Sequence, residues 1–271
     1  MLKRQSMNST KRYRLVNIRL QHFWGIVAVL LCTAALSGTA GEQQQKSSGT
    51  DDVRIHEEFE NLDDWEALTF DKIDRHSTYE IAEADGERVL KAESKNSASA
   101  LVYKHTFNVR KYPVVSWRWK IQRVYEEGDA KTKEGDDYPM RLYIIFEYNP
   151  AEAGWIRKAK YATAKKMHGE YPPDSTLNYI WANREHDKQI LTNAYTDRAK
   201  LVILQTGNER AGQWVTERIN IREDYRKAFG ENPPEKASIA IMNDSDNTGA
   251  SSVSWIDDIR VFGEENDESS N

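Results

Sequence analysis

Between residues 53 and 263, apolar and polar positions alternate with a period of two, the spacing of β-strands with one face covered. VVSWRWKIQ (114–122) sets Trp117, Trp119 and Ile121 on one face and Ser116, Arg118 and Lys120 on the other. MRLYIIFEY (140–148) separates Leu142, Ile144, Phe146 and Tyr148 from Arg141, Tyr143, Ile145 and Glu147. The same reading makes strands of RVLKAES (88–94), ALVYKHTFNV (100–109), LNYIWAN (177–183), KLVILQTG (200–207), WVTERINI (214–221), ASIAIMN (237–243) and VSWIDDIRVF (253–262). Loops rich in Gly, Pro, Asn and Asp join them. Short strands at this spacing, without alternating helices, predict an all-β fold, an antiparallel β-sandwich of jelly-roll type with minor α insertions.

Two segments break the pattern. AEAGWIRKAKYATAKKM (151–167) carries Arg157, Lys158, Lys160, Lys165 and Lys166. It is stopped by Gly169 and by Pro172 and Pro173, which predicts one inserted basic helix. DYRKAFG (224–230) predicts a short helix with Asp224 in its first turn and Gly230 as its C-terminal cap.

The ends have a different character. Residues 1–40 hold six cations and no acid, then the apolar run FWGIVAVLLCTAAL (23–36) and small residues up to Ala40, the pattern of a secretory signal peptide. The run is shorter than the roughly 20 residues a membrane span needs, so no stable span is expected after cleavage. Residues 41–52 read as a flexible linker, 53–263 as one domain and 264–271 as an acidic disordered tail. These expectations place the protein in the periplasm or outside the cell. Without the leader, 43 acids face 32 bases (38 less 6), a net charge of −11, which disfavours nucleic acid as a partner. The one cysteine, Cys32, lies in the leader, so thiol chemistry and cysteine-held metals are excluded from the mature chain.

Several residues are candidates for chemistry. In GDDYPMRLY (135–143), Arg141 facing inward would need a carboxylate from Asp136, Asp137, Asp244 or Asp246, because an unpaired buried charge is costly. DSDNTG (244–249) begins like an EF-hand loop, but the twelfth position from Asp244 is Trp255 rather than Glu, so that motif fails. A looser calcium loop, an acid–base carboxylate and a plain Asx turn remain open for it. HEEFENLDDW (56–65) and SWIDDIRVFG (254–263) suggest paired end strands whose acids, Glu58 and Asp258 first, share a structural calcium. Tyr179 and Trp181 are candidate stacking partners for a sugar ring, whereas Trp65, Trp117, Trp119 and Trp255 fit a core. Arg118, Lys120, Arg141, Tyr143 and Glu147 form a polar stripe that either lines a concave face or is a solvated sheet face. No serine-hydrolase elbow, zinc-protease helix, phosphate loop or dinucleotide fingerprint is present.

The ordered segments YPVVSWRWKI, DDYPMRLYIIF, LNYIWAN, GQWVTERINIREDYRKAFG and IAIMNDSDNTG resemble the bacterial domain of unknown function (DUF) family 3047. That resemblance implies an exported, single-domain protein and brings no activity with it. The end segments are also similar, in framework only, to carbohydrate-binding jelly rolls of the galactose-binding type. The expected function is binding of a glycan or similar polar ligand without catalysis. The expected contacts are Arg118, Asp136, Asp137, Arg141, Tyr179, Trp181, Asp244 and Asp246. The rivals are a polysaccharide hydrolase or lyase, with Asp244 or Asp246 as acid or base and Arg141 holding a substrate carboxylate, and an envelope structural protein.

Overall fold

The computed structural model describes residues 53–168 and 171–264. The signal-like leader and the linker lie outside these residues, as do residues 265–271 of the acidic tail. The chain forms β1 (Val53–Glu57), β2 (Trp65–Leu68), β3 (Thr78–Ala84), β4 (Glu87–Lys95), β5 (Ala98–Tyr103), β6 (Phe107–Asn108), β7 (Val114–Ile121) and β8 (Arg141–Phe146). It continues with α1 (Trp155–His168), β9 (Ser175–Ala182), β10 (Ile190–Thr192), β11 (Ala199–Thr206), β12 (Val215–Asn220), α2 (Ile221–Phe229), β13 (Lys236–Asp244) and β14 (Ser251–Phe262).

Two sheets face each other. The smaller runs β12-β7-β14-β4-β3, with β1 beside the far half of β14; the larger runs β10-β11-β9-β8-β13-β5-β2, with β6 extending the β13 edge. This is a mostly β sandwich of jelly-roll type, and its end strands pair as the acidic end segments suggest. One pair departs from the antiparallel rule: β11 runs parallel to β9. The chain leaves β9, skips one position to form β10, and returns as β11 in the gap, antiparallel to β10.

Period-two alternation reads correctly at the interface between the sheets. Trp117, Trp119 and Ile121 meet Leu142, Ile144, Phe146, Leu177, Tyr179 and Trp181 in one buried core. Aromatic rings dominate it: Trp119 lies 5.8 Å from Trp181 and Trp117 5.7 Å from Tyr179, centroid to centroid, across the two sheets. The outer face of the larger sheet is buried as well. The loop of residues 69–77 packs Phe70 and Ile73 against Tyr143, Ile145 and Ala240. The loop of residues 122–140 packs Ala130 and Tyr138 against Ile180 and Leu201. A strand covered on both sides loses its polar phase, and all eight residues of β9 are buried.

Both helices are found. Asn149 Oδ1 accepts from the amide of Ala151 and holds a turn there, so α1 begins at Trp155, four residues later than the sequence pattern suggests. A stack of Tyr161 on Tyr148 (3.9 Å between centroids) and an ion pair from Arg157 to Asp174 (3.2 Å) seat it. In α2, Asn220 Oδ1 accepts from the amides of Arg222 and Glu223, and Gly230 closes the helix at φ 74°. Among the described residues no helix is long and apolar enough to cross a membrane.

Candidate functional site

At the ends of β8 and β13 the outer face of the larger sheet carries a buried polar centre. Arg141 opens β8 and Asp244 closes β13, and antiparallel pairing brings Met242 opposite Arg141. Arg141 Nε donates to Asp244 Oδ1 at 3.0 Å and Nη2 donates to Asp244 Oδ2, a two-pronged bond with side-chain exposures of 5% and 1%. Arg141 Nη1 reaches Asp136 Oδ1 at 3.4 Å, and Nη2 reaches the Asp136 carbonyl at 3.2 Å. Asn193 Nδ2 holds the other Asp136 oxygen at 3.0 Å. The guanidinium also lies 4.7 Å from the ring centre of Tyr138.

The DSDNTG loop serves its neighbour Asp137. The amide and side chain of Asn247 donate to Asp137 Oδ1 at 3.3 and 3.0 Å. The amide and hydroxyl of Thr248 donate to Oδ2 at 2.6 and 2.7 Å. A carboxylate has about four lone-pair positions, and these four donors fill them. Asn183 Nδ2 donates to the Asp137 carbonyl at 2.7 Å. Gly128 lies so close to Asn183 that a Cβ there would collide with its side-chain amide. The centre thus ties the 122–140 loop, the residues after β9 and the 245–250 loop to one strand end.

Its charge is unbalanced: four carboxylates gather around one guanidinium. Burial pushes the Asp244 carboxyl well up, opposed by Arg141 and reinforced by Asp137 and Asp136. Asp136 is raised mainly by burial, and half-buried Asp246 by burial and then by Asp137. Ligand oxygens of Asp137, Asp244 and Asp246 lie within 4.8 Å of one another, a spacing that would suit a cation. The donor set does not fit one. Asp137 is saturated and Asp244 is spent on Arg141, which leaves Asp246, bonded to its own backbone amide, as the least engaged of the three. Of the other calcium candidates, Asp258 Oδ1 stands 3.0 Å from His56 Nε2 and 2.7 Å from Arg260 Nε, and the exposed Glu58 is 3.6 Å from the same His56 nitrogen.

Three expected contacts lie elsewhere. Trp181 and Tyr179 are fully buried and face the opposite sheet, so neither ring offers a face to a sugar. Trp181 Nε1 donates to the Gly207 carbonyl at 2.9 Å and Tyr179 Oη to Asp224 at 3.1 Å. Arg118 is not beside Arg141, because the loop of residues 122–140 carries the chain from β7 in one sheet to β8 in the other. The single polar stripe joining Arg118, Lys120, Arg141, Tyr143 and Glu147 is therefore two separate faces.

Arg118 belongs to a second cluster, on the outer face of the smaller sheet. It donates to Asp257 through Nε at 3.2 Å and Nη2 at 2.6 Å, and to Glu87. A bulge in β14, with Asp258 at φ 52°, sits beside this contact. Arg118 and Lys120 lie 4.9 and 5.0 Å from the Trp214 ring centre, and Lys120 lies 4.9 Å from that of Trp255. Trp214 Nε1 and Lys120 Nζ both donate to Asp85 Oδ2, at 2.8 and 2.7 Å. These two bonds hold the Asp85 carboxyl below its ordinary range. Trp214 and Trp255 are half-exposed, and the Lys120 ammonium touches both rings. Sequence reasoning missed this pair and assigned Trp255 to the core. The signal was the phase of the alternation: Ser254 and Ile256 point inward, so Trp255 between them points out.

The family described as "Protein of unknown function (DUF3047)" matches residues 63–260. The chain belongs to that family. The match runs from just before β2 into β14, so it contains both the Arg141 centre and the Trp214–Trp255 face. No curated protein matches the chain. Among solved structures, it is similar to the family 11 carbohydrate-binding module of the cellulase Lic26A-Cel5E of Clostridium thermocellum. Identity is 11%, with 80% of this chain and 97% of that one covered, at a TM-score of 0.40. It is also similar to the K3 adhesin domain of Lys-gingipain from Porphyromonas gingivalis (11% identity, 78% and 99% covered, TM-score 0.37). A third similar structure is Trichoderma harzianum endoglucanase 3 (8%, 80% and 98%, 0.36). A binding module, an adhesin and an endoglucanase together assign no activity.

Proposed function

We propose that the protein is an exported β-sandwich that binds a glycan or similar polar ligand, without catalysis, on the outer face of its smaller sheet. The observation that carries this reading is the row Arg118, Trp214, Lys120 and Trp255, with two half-exposed indoles spaced by cations. An indole face is apolar and flat, as is the face of a pyranose ring. Asp85, Glu87 and Arg118 beside it offer acceptors and donors for hydroxyl groups. Their own pairing fixes the side chains in advance, which lowers the entropy lost on binding. The leader of residues 1–40 supports export.

The chemistry of the Arg141 centre supports the non-catalytic half. A hydrolase or lyase using Asp244 would need it to trade protons with substrate, but Asp244 is 1% exposed and doubly bound by Arg141. The buried centre reads as a clamp that holds three loops. A glycan array probed with the full chain tests the proposal: retention of at least one glycan class supports it, and an array without retention removes it.

A further inference from the structure

A cavity beside α2 is lined by three arginines. Arg110, from the turn after β6, and Arg222 and Arg226, one turn apart on α2, surround about 290 Å³ together with Asn232 and Pro233. Three guanidinium groups from two distant stretches converge here in a chain whose net charge is −5. Like charges around a cavity repel unless something answers them. Arg222 is answered by Glu264, with Nη2 2.6 Å from both carboxylate oxygens. Among the described residues the carboxylates paired with Arg110 are exposed, Glu152 at 3.2 Å and Glu235 at 3.9 Å, and pairs of that kind contribute little. Arg226 gives Nε to Asn232 Oδ1 at 2.8 Å and forms no ion pair with a carboxylate among the described residues. Arg222 Nε is buried with no acceptor among the described residues.

We propose that this cavity is a binding site for a small oxyanion: a phosphate or sulfate group, or the carboxylate of an acidic sugar. Guanidinium groups present planar, paired donors that match such oxygens, and Arg222 already holds one carboxylate through Nη2 while its Nε is unspent. Glu264 is then the ligand's internal competitor. It pairs with Arg222 and lies within reach of the Arg226 charge, and an incoming anion binds Arg226 and Arg110 beside it. The site is independent of the Trp214–Trp255 face, since α2 follows the opposite end of β12 from Trp214.

The test is thermal melting of the full chain titrated with inorganic phosphate and, separately, with glucuronate, each against sodium chloride at matched ionic strength. The expected result is a saturable rise in Tm with at least one of the two anions beyond that with chloride. Saturation by phosphate assigns a phosphate or sulfate group, and saturation by glucuronate alone assigns a sugar carboxylate. Arg226→Met, at an exposed position, should keep the protein folded, with a cooperative unliganded melt against which its own titration is read. It should weaken binding about tenfold, the effect of losing one charge-assisted hydrogen bond. Glu264→Gln should tighten binding. Equal shifts from both anions and chloride overturn the proposal, as does an Arg226→Met protein that titrates like the wild type.

Discussion

Arg141 shows what a single residue could reveal in advance. A charge on a strand whose alternate positions are apolar, with Asp136 and Asp137 just before it, had to find a carboxylate, and it takes Asp136 and, from the end of β13, Asp244. Arg141→Met would leave Asp244 buried and unanswered. Loss of one partner from such a pair costs about 3–5 kcal/mol, to be read from urea denaturation. Asp246 tests the other side of the imbalance. Its carboxyl is raised in the fold, so the native state holds its proton longer than the unfolded chain does. That stabilisation is present below the ordinary carboxylate pKa and is lost as pH rises through the native value. Asp246→Asn should therefore stabilise the protein at neutral pH and change little in acid, as paired denaturation curves would report. The positions of Tyr179 and Trp181 were not legible. On a strand buried on both faces, composition does not say which phase is exposed, and here neither is.

At the scale of elements, all nine strands expected from period two are present, because each turns one apolar face to the other sheet. One of them, 100–109, is split into β5 and β6. β2, β3 and β10 were not read, and β1 only as an end strand within HEEFENLDDW, without its bounds. VRIHE, WEAL and ILT are too short to show a period, and TYEIAEA buries no residue fully. For α2, the C-cap Gly230 was legible and the N-cap Asn220 was not, because Asn220 also reads as the polar phase of WVTERINI. Gly230 sits in the left-handed region, where a Cβ costs roughly 1–2 kcal/mol, so Gly230→Ala should destabilise by that order. Asn220→Ala should cost about 1 kcal/mol through the missing cap. Both are measurable as shifts in the denaturation midpoint.

For the whole molecule, the two-sheet architecture could be expected from alternation, but the allotment of strands to sheets could not. It depends on where long loops cross, and the 122–140 loop separates Arg118 from Arg141 for that reason. The same allotment places Lys120 between Trp214 and Trp255, a juxtaposition of three distant stretches with no local signal. The acidic end segments suggested calcium, yet His56 and Arg260 stand against Asp258 and four donors fill Asp137. A melting scan with and without chelator should accordingly give the same Tm.

A ligand lying across the indoles of the smaller sheet must depend on Trp214. The most direct measurement is the affinity of a glycan retained on the array, titrated into the wild type and into Trp214→Ala, with both proteins shown to melt alike. Removing one aromatic platform from beneath a stacked ring costs about 1–3 kcal/mol where bases stack on aromatic side chains, and a sugar ring on an indole should be of the same order. Binding should therefore weaken about tenfold or more. An unchanged affinity in Trp214→Ala would contradict this placement of the ligand.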